Sequence, residues 1–128
     1  LSDDGFMVIN VGRAPEDRRL VDALYNTIAV EFPSLYVMDL PLSFNTLIYA
    51  SASPTSITNL PTNYDALLQN SSTPTILLQS IQVALNNLQP SPEINQELVF
   101  TDDLAPVEGI TNSMILHFLL SDQVKQLQ

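Results

Sequence analysis

The sequence predicts an α/β fold: a three-stranded mixed sheet, two of its strands antiparallel, with flanking helices, in a single domain over residues 1–128. Three observations lead there. A short apolar run, Phe6 to Val11, leads directly into an amphipathic segment, Pro15 to Phe32. Two more runs rich in β-formers, Leu35 to Leu40 and Asn45 to Ala50, stand only a few residues apart. The remainder alternates helical periodicity with loops.

Phe6 to Val11 is almost continuously apolar, as suits a strand covered on both faces, and Gly12 supplies a turn. Pro15 fits a first helical turn, where its missing N–H costs nothing, and Glu16 and Asp17 complement the positive end of the helix dipole. Leu20, Leu24, Ile28 and Phe32 recur every four residues, flanked by Val21 and Tyr25, and form one apolar face; Pro33 stops the helix. Pro41 to Phe44 is too short for the crossover of roughly a dozen residues that a parallel pair needs, so the second and third strands pair antiparallel. The first and second strands, joined by a helix, run in parallel directions, with a right-handed crossover if they share a sheet.

Beyond Ala50, Ser51 to Thr62 reads as a loop with one turn and Asn63 to Gln69 as a short helix. Pro74 to Leu88 is a longer helix with Leu77, Leu78, Ile81, Leu85 and Leu88 on one side. Gln89 to Glu97, with two prolines, is a surface loop, and Pro106 to Leu120 is a final helix with Val107, Ile110, Met114 and Phe118 as its apolar stripe.

Composition narrows the function classes. The chain is 45% hydrophobic, enough for a folded core, and carries a net charge of −10 with only four basic residues. Arg13, Arg18 and Arg19 cluster near one end and the next basic residue is Lys125. No basic patch can be built to neutralise phosphates, which argues against nucleic acid and against anionic membrane surfaces. Without cysteine there is no disulfide, thiolate metal site or thiol nucleophile. No apolar run reaches the ~20 residues of a membrane span, and no signal-peptide pattern is present; the expected compartment is the cytoplasm.

Several motifs in order resemble a known family. Gly5-Phe6-Met7-Val8-Ile9-Asn10-Val11-Gly12-Arg13, Asp17 to Leu24, Phe32-Pro33-Ser34-Leu35-Tyr36-Val37, Ser43 to Leu47 and Thr101-Asp102-Asp103-Leu104-Ala105-Pro106-Val107-Glu108 are similar to the C-terminal half of spermidine-synthase-like proteins. These are polyamine aminopropyltransferases built on the class I S-adenosylmethionine-dependent methyltransferase fold, which is Rossmann-like. The resemblance implies that Phe6 to Val11 is the fifth strand of a seven-stranded sheet, and that the third strand here inserts antiparallel between the other two. It also implies that the glycine-rich loop, the acid after the second strand and the catalytic aspartate lie in an absent N-terminal half. No cofactor is therefore expected in this chain, and decarboxylated S-adenosylmethionine or S-adenosylmethionine belongs to the parent, whose membrane spans, if any, lie elsewhere.

The resemblance aligns Asn10 with a glutamine that faces the amine substrate; the other reading is that Asn10 caps the strand-to-helix turn. Pro41-Leu42-Ser43-Phe44 lacks the tyrosine found in putrescine users, which weighs against spermidine synthesis. Asp102, Asp103 and Glu108 form an acidic cluster suited to a cation or amine, or to capping the last helix; no metal site is expected from them alone. His117, the one histidine, reads as a helix residue, and Arg18 and Arg19 as partners of nearby carboxylates. Two functions follow: an aminopropyl- or methyltransferase fragment inactive in isolation, or a non-catalytic interaction or oligomerisation module. Both leave the first strand as an exposed sheet edge, suited to the missing N-terminal half or to a homo-oligomer.

Overall fold

The structure, a computed structural model, describes residues 2–89, 92, 95, 99–101 and 106–120. In chain order it contains β1 (Phe6–Gly12), α1 (Arg19–Ala29), β2 (Ser34–Asp39), β3 (Asn45–Ser51), α2 (Asn59–Leu68), α3 (Thr75–Asn87), β4 (Leu88–Gln89) and α4 (Val107–Leu120). The strands form one sheet in the order β1-β3-β2-β4, and every neighbouring pair is antiparallel.

The expected three-stranded mixed sheet is thus overturned. β1 and β2 do point the same way, but β3 lies between them, so no parallel pair forms. The fourth strand falls where the expected helix ends, at Leu88, and the expected loop begins, at Gln89. As α3 ends, Leu88 and Gln89 lie against the free side of β2, opposite Met38 and Val37. They satisfy backbone groups that a half-buried edge would otherwise leave unpaired.

α1 starts later than its proline suggests. Ala14 and Asp17 exchange two backbone hydrogen bonds of 3.2 Å, and the Asp17 carboxylate accepts the Arg19 N–H at 3.2 Å. Pro15 and Glu16 therefore sit in a turn, and the helix opens at Arg19. From there the four-residue periodicity holds. Leu20, Val21, Tyr25 and Ile28 are buried against Val11, Leu35, Val37, Ile48 and Ala50 of the sheet. Met114 of α4 completes this core. Each such side chain removed from water contributes roughly 1.5–3 kcal/mol.

The other sheet face is covered by the α2–α3 hairpin, whose turn is fixed by the Asn70 side-chain oxygen accepting from the Ser72 N–H and hydroxyl. Neither helix contains a buried residue. On α3, Leu78 and Ile81 are half-buried, while Leu77 and Leu85 of the expected stripe are exposed. On α4, Met114 is buried and Ile110 and Phe118 half-buried, whereas Val107 faces solvent. α4 does not segregate its apolar residues onto one face, and Ile115, Leu116, Leu119 and Leu120 are left exposed. Among the described residues no helix is long and apolar enough to cross a membrane.

The β2–β3 turn, Pro41 to Phe44, carries one backbone oddity. Leu42 adopts φ 56° and is fully exposed. A left-handed leucine costs about 1–2 kcal/mol. The Leu40 N–H···O=C Asn45 bond (2.9 Å) and the Ser43 hydroxyl accepting the Asn45 N–H (3.0 Å) hold it there.

Candidate functional site

Register assigns each strand residue to a face. Met7, Ile9 and Val11, with Thr46, Ile48 and Ala50 and with Leu35, Val37 and Asp39, lie on the α1 face. Phe6, Val8 and Asn10 share the opposite face with Leu47, Tyr49 and Tyr36.

At the carboxyl end of β2, on the α1 face, Asp39 gathers four side chains. Thr46 donates to Oδ1 at 2.6 Å, while Arg18 and Gln89 donate to Oδ2 at 2.6 and 2.9 Å. Arg13 Nε lies 3.4 Å from Oδ1 and donates to the Thr46 hydroxyl at 3.1 Å. Burial would raise the Asp39 pKa, but the hydrogen bonds from Thr46, Arg18 and Gln89 outweigh it and hold it below the ordinary carboxylate value. Both oxygens are engaged and two guanidinium groups already balance the charge, so this carboxylate acts as a structural hub and is poorly placed to hold a substrate ammonium group.

A second polar group lies between α1 and α4. Arg19 grips Asp17 with contacts of 2.6–3.2 Å and reaches the Ser113 hydroxyl at 3.0 Å. The Arg19 hydrogen bond lowers the Asp17 pKa, whereas burial raises that of Asp22. His117 borders this group on the exposed side of α4. Arg18 and Arg19 thus both pair with carboxylates. Among the described residues no group of three or more His, Asp or Glu side chains is placed to hold a metal.

The anticipated site residues are not brought together. Asn10 lies near the end of β1, exposed, on the face opposite Asp39. Glu108 is exposed in the first turn of α4, where it complements the helix dipole. Asp102 and Asp103 lie outside the described residues. Gln89 and the Tyr36–Tyr49 pair, which sequence reasoning passed over, prove more central. The hub was accessible in principle: a short hairpin link forces Asp39, the one charged residue of β2, opposite Thr46 near the start of β3.

The most distinctive feature is the outer side of β1. Arg13 N–H donates to Phe44 and Ala52 N–H to Gly5, which fixes the alternation. Residues 5, 7, 9, 11 and 13 direct their backbone groups to β3, so Phe6, Val8, Asn10 and Gly12 direct theirs outward. β1 is the terminal strand of the sheet, and no described strand pairs with it there. Phe6 is 74% and Val8 45% exposed. From Phe6 to Gly12 the strand has no charge, no proline and no bulge, the usual means of protecting an edge.

Comparison with protein-family profiles, with curated proteins and with solved structures yields no match for this chain.

Proposed function

We propose that this chain is the C-terminal half of a spermidine-synthase-like aminopropyl- or methyltransferase, cytoplasmic and non-catalytic by itself, offering β1 as the strand on which the upstream sheet is completed. The observation that carries this reading is the unpaired, uncharged outer side of β1 in a sheet where β3 inserts antiparallel between β1 and β2. The exposed Phe6 and Val8 support it, because a further strand and its covering helix would remove both from water.

The residues present do not fit an S-adenosyl ligand. Such a ligand needs a glycine-rich turn that brings backbone close to it, and the three glycines, Gly5, Gly12 and Gly109, are too scattered to make one. An amine acceptor needs a carboxylate without a cation of its own, but Asp39 is already paired with Arg18 and Arg13, and Asn10 lies on the other face. Calorimetric titration with S-adenosylmethionine, its decarboxylated form and methylthioadenosine is expected to give no binding heat at millimolar ligand. Saturable one-to-one binding would show that this half carries a nucleoside site and would overturn the reading.

A second reading, a self-pairing module, is favoured by the same edge. Antiparallel pairing of two copies of β1 about Ile9 would place Val8 beside the partner's Asn10, with outward amides matched on both strands. It would also bring the Asp3–Asp4 end of one copy towards the Arg13 end of the other. Val8→Pro removes one outward N–H that the monomer does not use. Sedimentation is expected to show a concentration-dependent dimer for the native chain and a monomer for Val8→Pro, with matching circular dichroism. A native chain monomeric at several hundred micromolar (about 10⁻⁴–10⁻³ M) would eliminate self-pairing.

A further inference from the structure

We infer that the cleft between the tyrosine-bearing sheet face and the α2–α3 hairpin is a binding site for a small, uncharged, planar aromatic molecule. Its floor is Tyr36 and Tyr49, directly opposite one another on β2 and β3. Its roof is Leu60 of α2 with Ile81 and Ala84 of α3. The volume is ≈ 420 Å³, within the range of small-molecule sites and too small for a folded partner.

The space follows from the sequence of the roof. Ser80 and Ala84 sit one turn apart on α3, and both line the cleft. Small side chains there leave the space above the tyrosines unfilled, and neither α2 nor α3 contains a buried residue although they cover a sheet.

The lining specifies the ligand class. Aromatic and aliphatic groups supply two opposing faces for a flat ring. Polar groups converge from the rim: the Asn59 and Asn63 amides, one turn apart on α2, and the Ser80 hydroxyl, which donates to the Ile76 carbonyl at 2.8 Å and offers a ligand only its acceptor side. The Tyr36 hydroxyl is committed to Thr55 at 2.9 Å. The Tyr49 hydroxyl has no hydrogen-bond partner among the described residues, and burial raises its pKa, so it stays a neutral donor and acceptor. In a chain with fourteen acidic and four basic residues, no charged side chain among the described residues lines this cleft. A charged ligand would enter without a counter-charge, whereas a neutral ring with one or two hydrogen-bonding atoms leaves nothing unpaired.

The test is an NMR titration of the full chain with indole as the neutral probe, and benzoate and benzylamine as charged counterparts. Indole is expected to give saturable shifts at Tyr36, Tyr49, Leu60 and Ala84, and the charged probes to bind at least about fivefold more weakly. Ala84→Phe fills the roof and is expected to weaken indole about tenfold or more, with Val37 and Ile48 resonances unmoved. Should that variant unfold, Tyr49→Phe keeps the ring, removes only the free hydroxyl, and is expected to weaken indole several-fold, by about 1 kcal/mol of hydrogen bonding. Non-saturating shifts scattered over the surface, equal affinity for benzoate, or indifference to both substitutions would each overturn the assignment.

Discussion

Ile48→Ala is expected to lower the unfolding free energy by about 3–4 kcal/mol, within the range for deleting a buried isoleucine side chain beyond Cβ. Ile48 is 1% exposed and occupies the middle of β3, with Ile9 on one side and Val37 on the other in register. β3 is hydrogen-bonded along both sides, so its backbone cannot shift inward to fill the space. The cost therefore falls towards the part of the range set by an uncollapsed cavity. A domain of this kind has some 5–15 kcal/mol in total, so the change takes a large share. Urea unfolding at neutral pH, with the slope unchanged, measures it. A loss below about 1.5 kcal/mol would mean that the core relaxes around the site more freely than a doubly bonded strand permits.

Asp39→Asn is the second large effect, and it depends on pH. Asparagine keeps the shape but not the charge, and places an N–H₂ group among the donors of Arg18, Thr46 and Gln89. Removing one member of a fully buried pair costs about 3–5 kcal/mol. Here the Asp39 and Arg18 side chains keep 22% and 29% of their exposure, so screening reduces the expected loss to about 2–3 kcal/mol. The folded-state pKa of Asp39 is lowered. Its carboxylate therefore stabilises the fold fully above the unfolded value near 4, and that contribution is lost as pH falls through the folded pKa. The gap between native and Asp39→Asn urea midpoints should be widest at neutral pH and shrink below about pH 4. A gap that stays constant into acid would show that the hub relies on shape and not on charge.

The parts of this molecule that were legible from sequence are those governed by local rules. The four-residue spacing from Leu20 to Ile28 placed α1 on the core, and the short Pro41–Phe44 link required β2 and β3 to be antiparallel. What escaped depended on contacts distant in sequence. Leu88 and Gln89 carry no strand signal of their own and become β4 only because the end of α3 brings them to the open side of β2. The turn at Pro15 overrode a good helix start because Ala14 and Asp17 bond to each other. The Asp39 hub joins residues 13, 18, 39, 46 and 89, and no spacing rule links positions so far apart. Asn10 was located correctly near the end of its strand, but the alternation of faces turned it away from the arginine cluster.

The insertion of β3 between β1 and β2 also has a consequence for synthesis on the ribosome. β1 is made first, yet the strand it must join begins only at Asn45, after α1 and β2 have emerged. The β2–β3 hairpin closes over a short loop and forms quickly, whereas β1 must wait for a long loop to close. During that interval its β3-facing edge is bare, and the strand carries no charge to repel another nascent chain. α1 emerges before that neighbour, and its Leu20, Val21 and Tyr25, which share a core with Val11, can cover the inner face of β1 but not its edge.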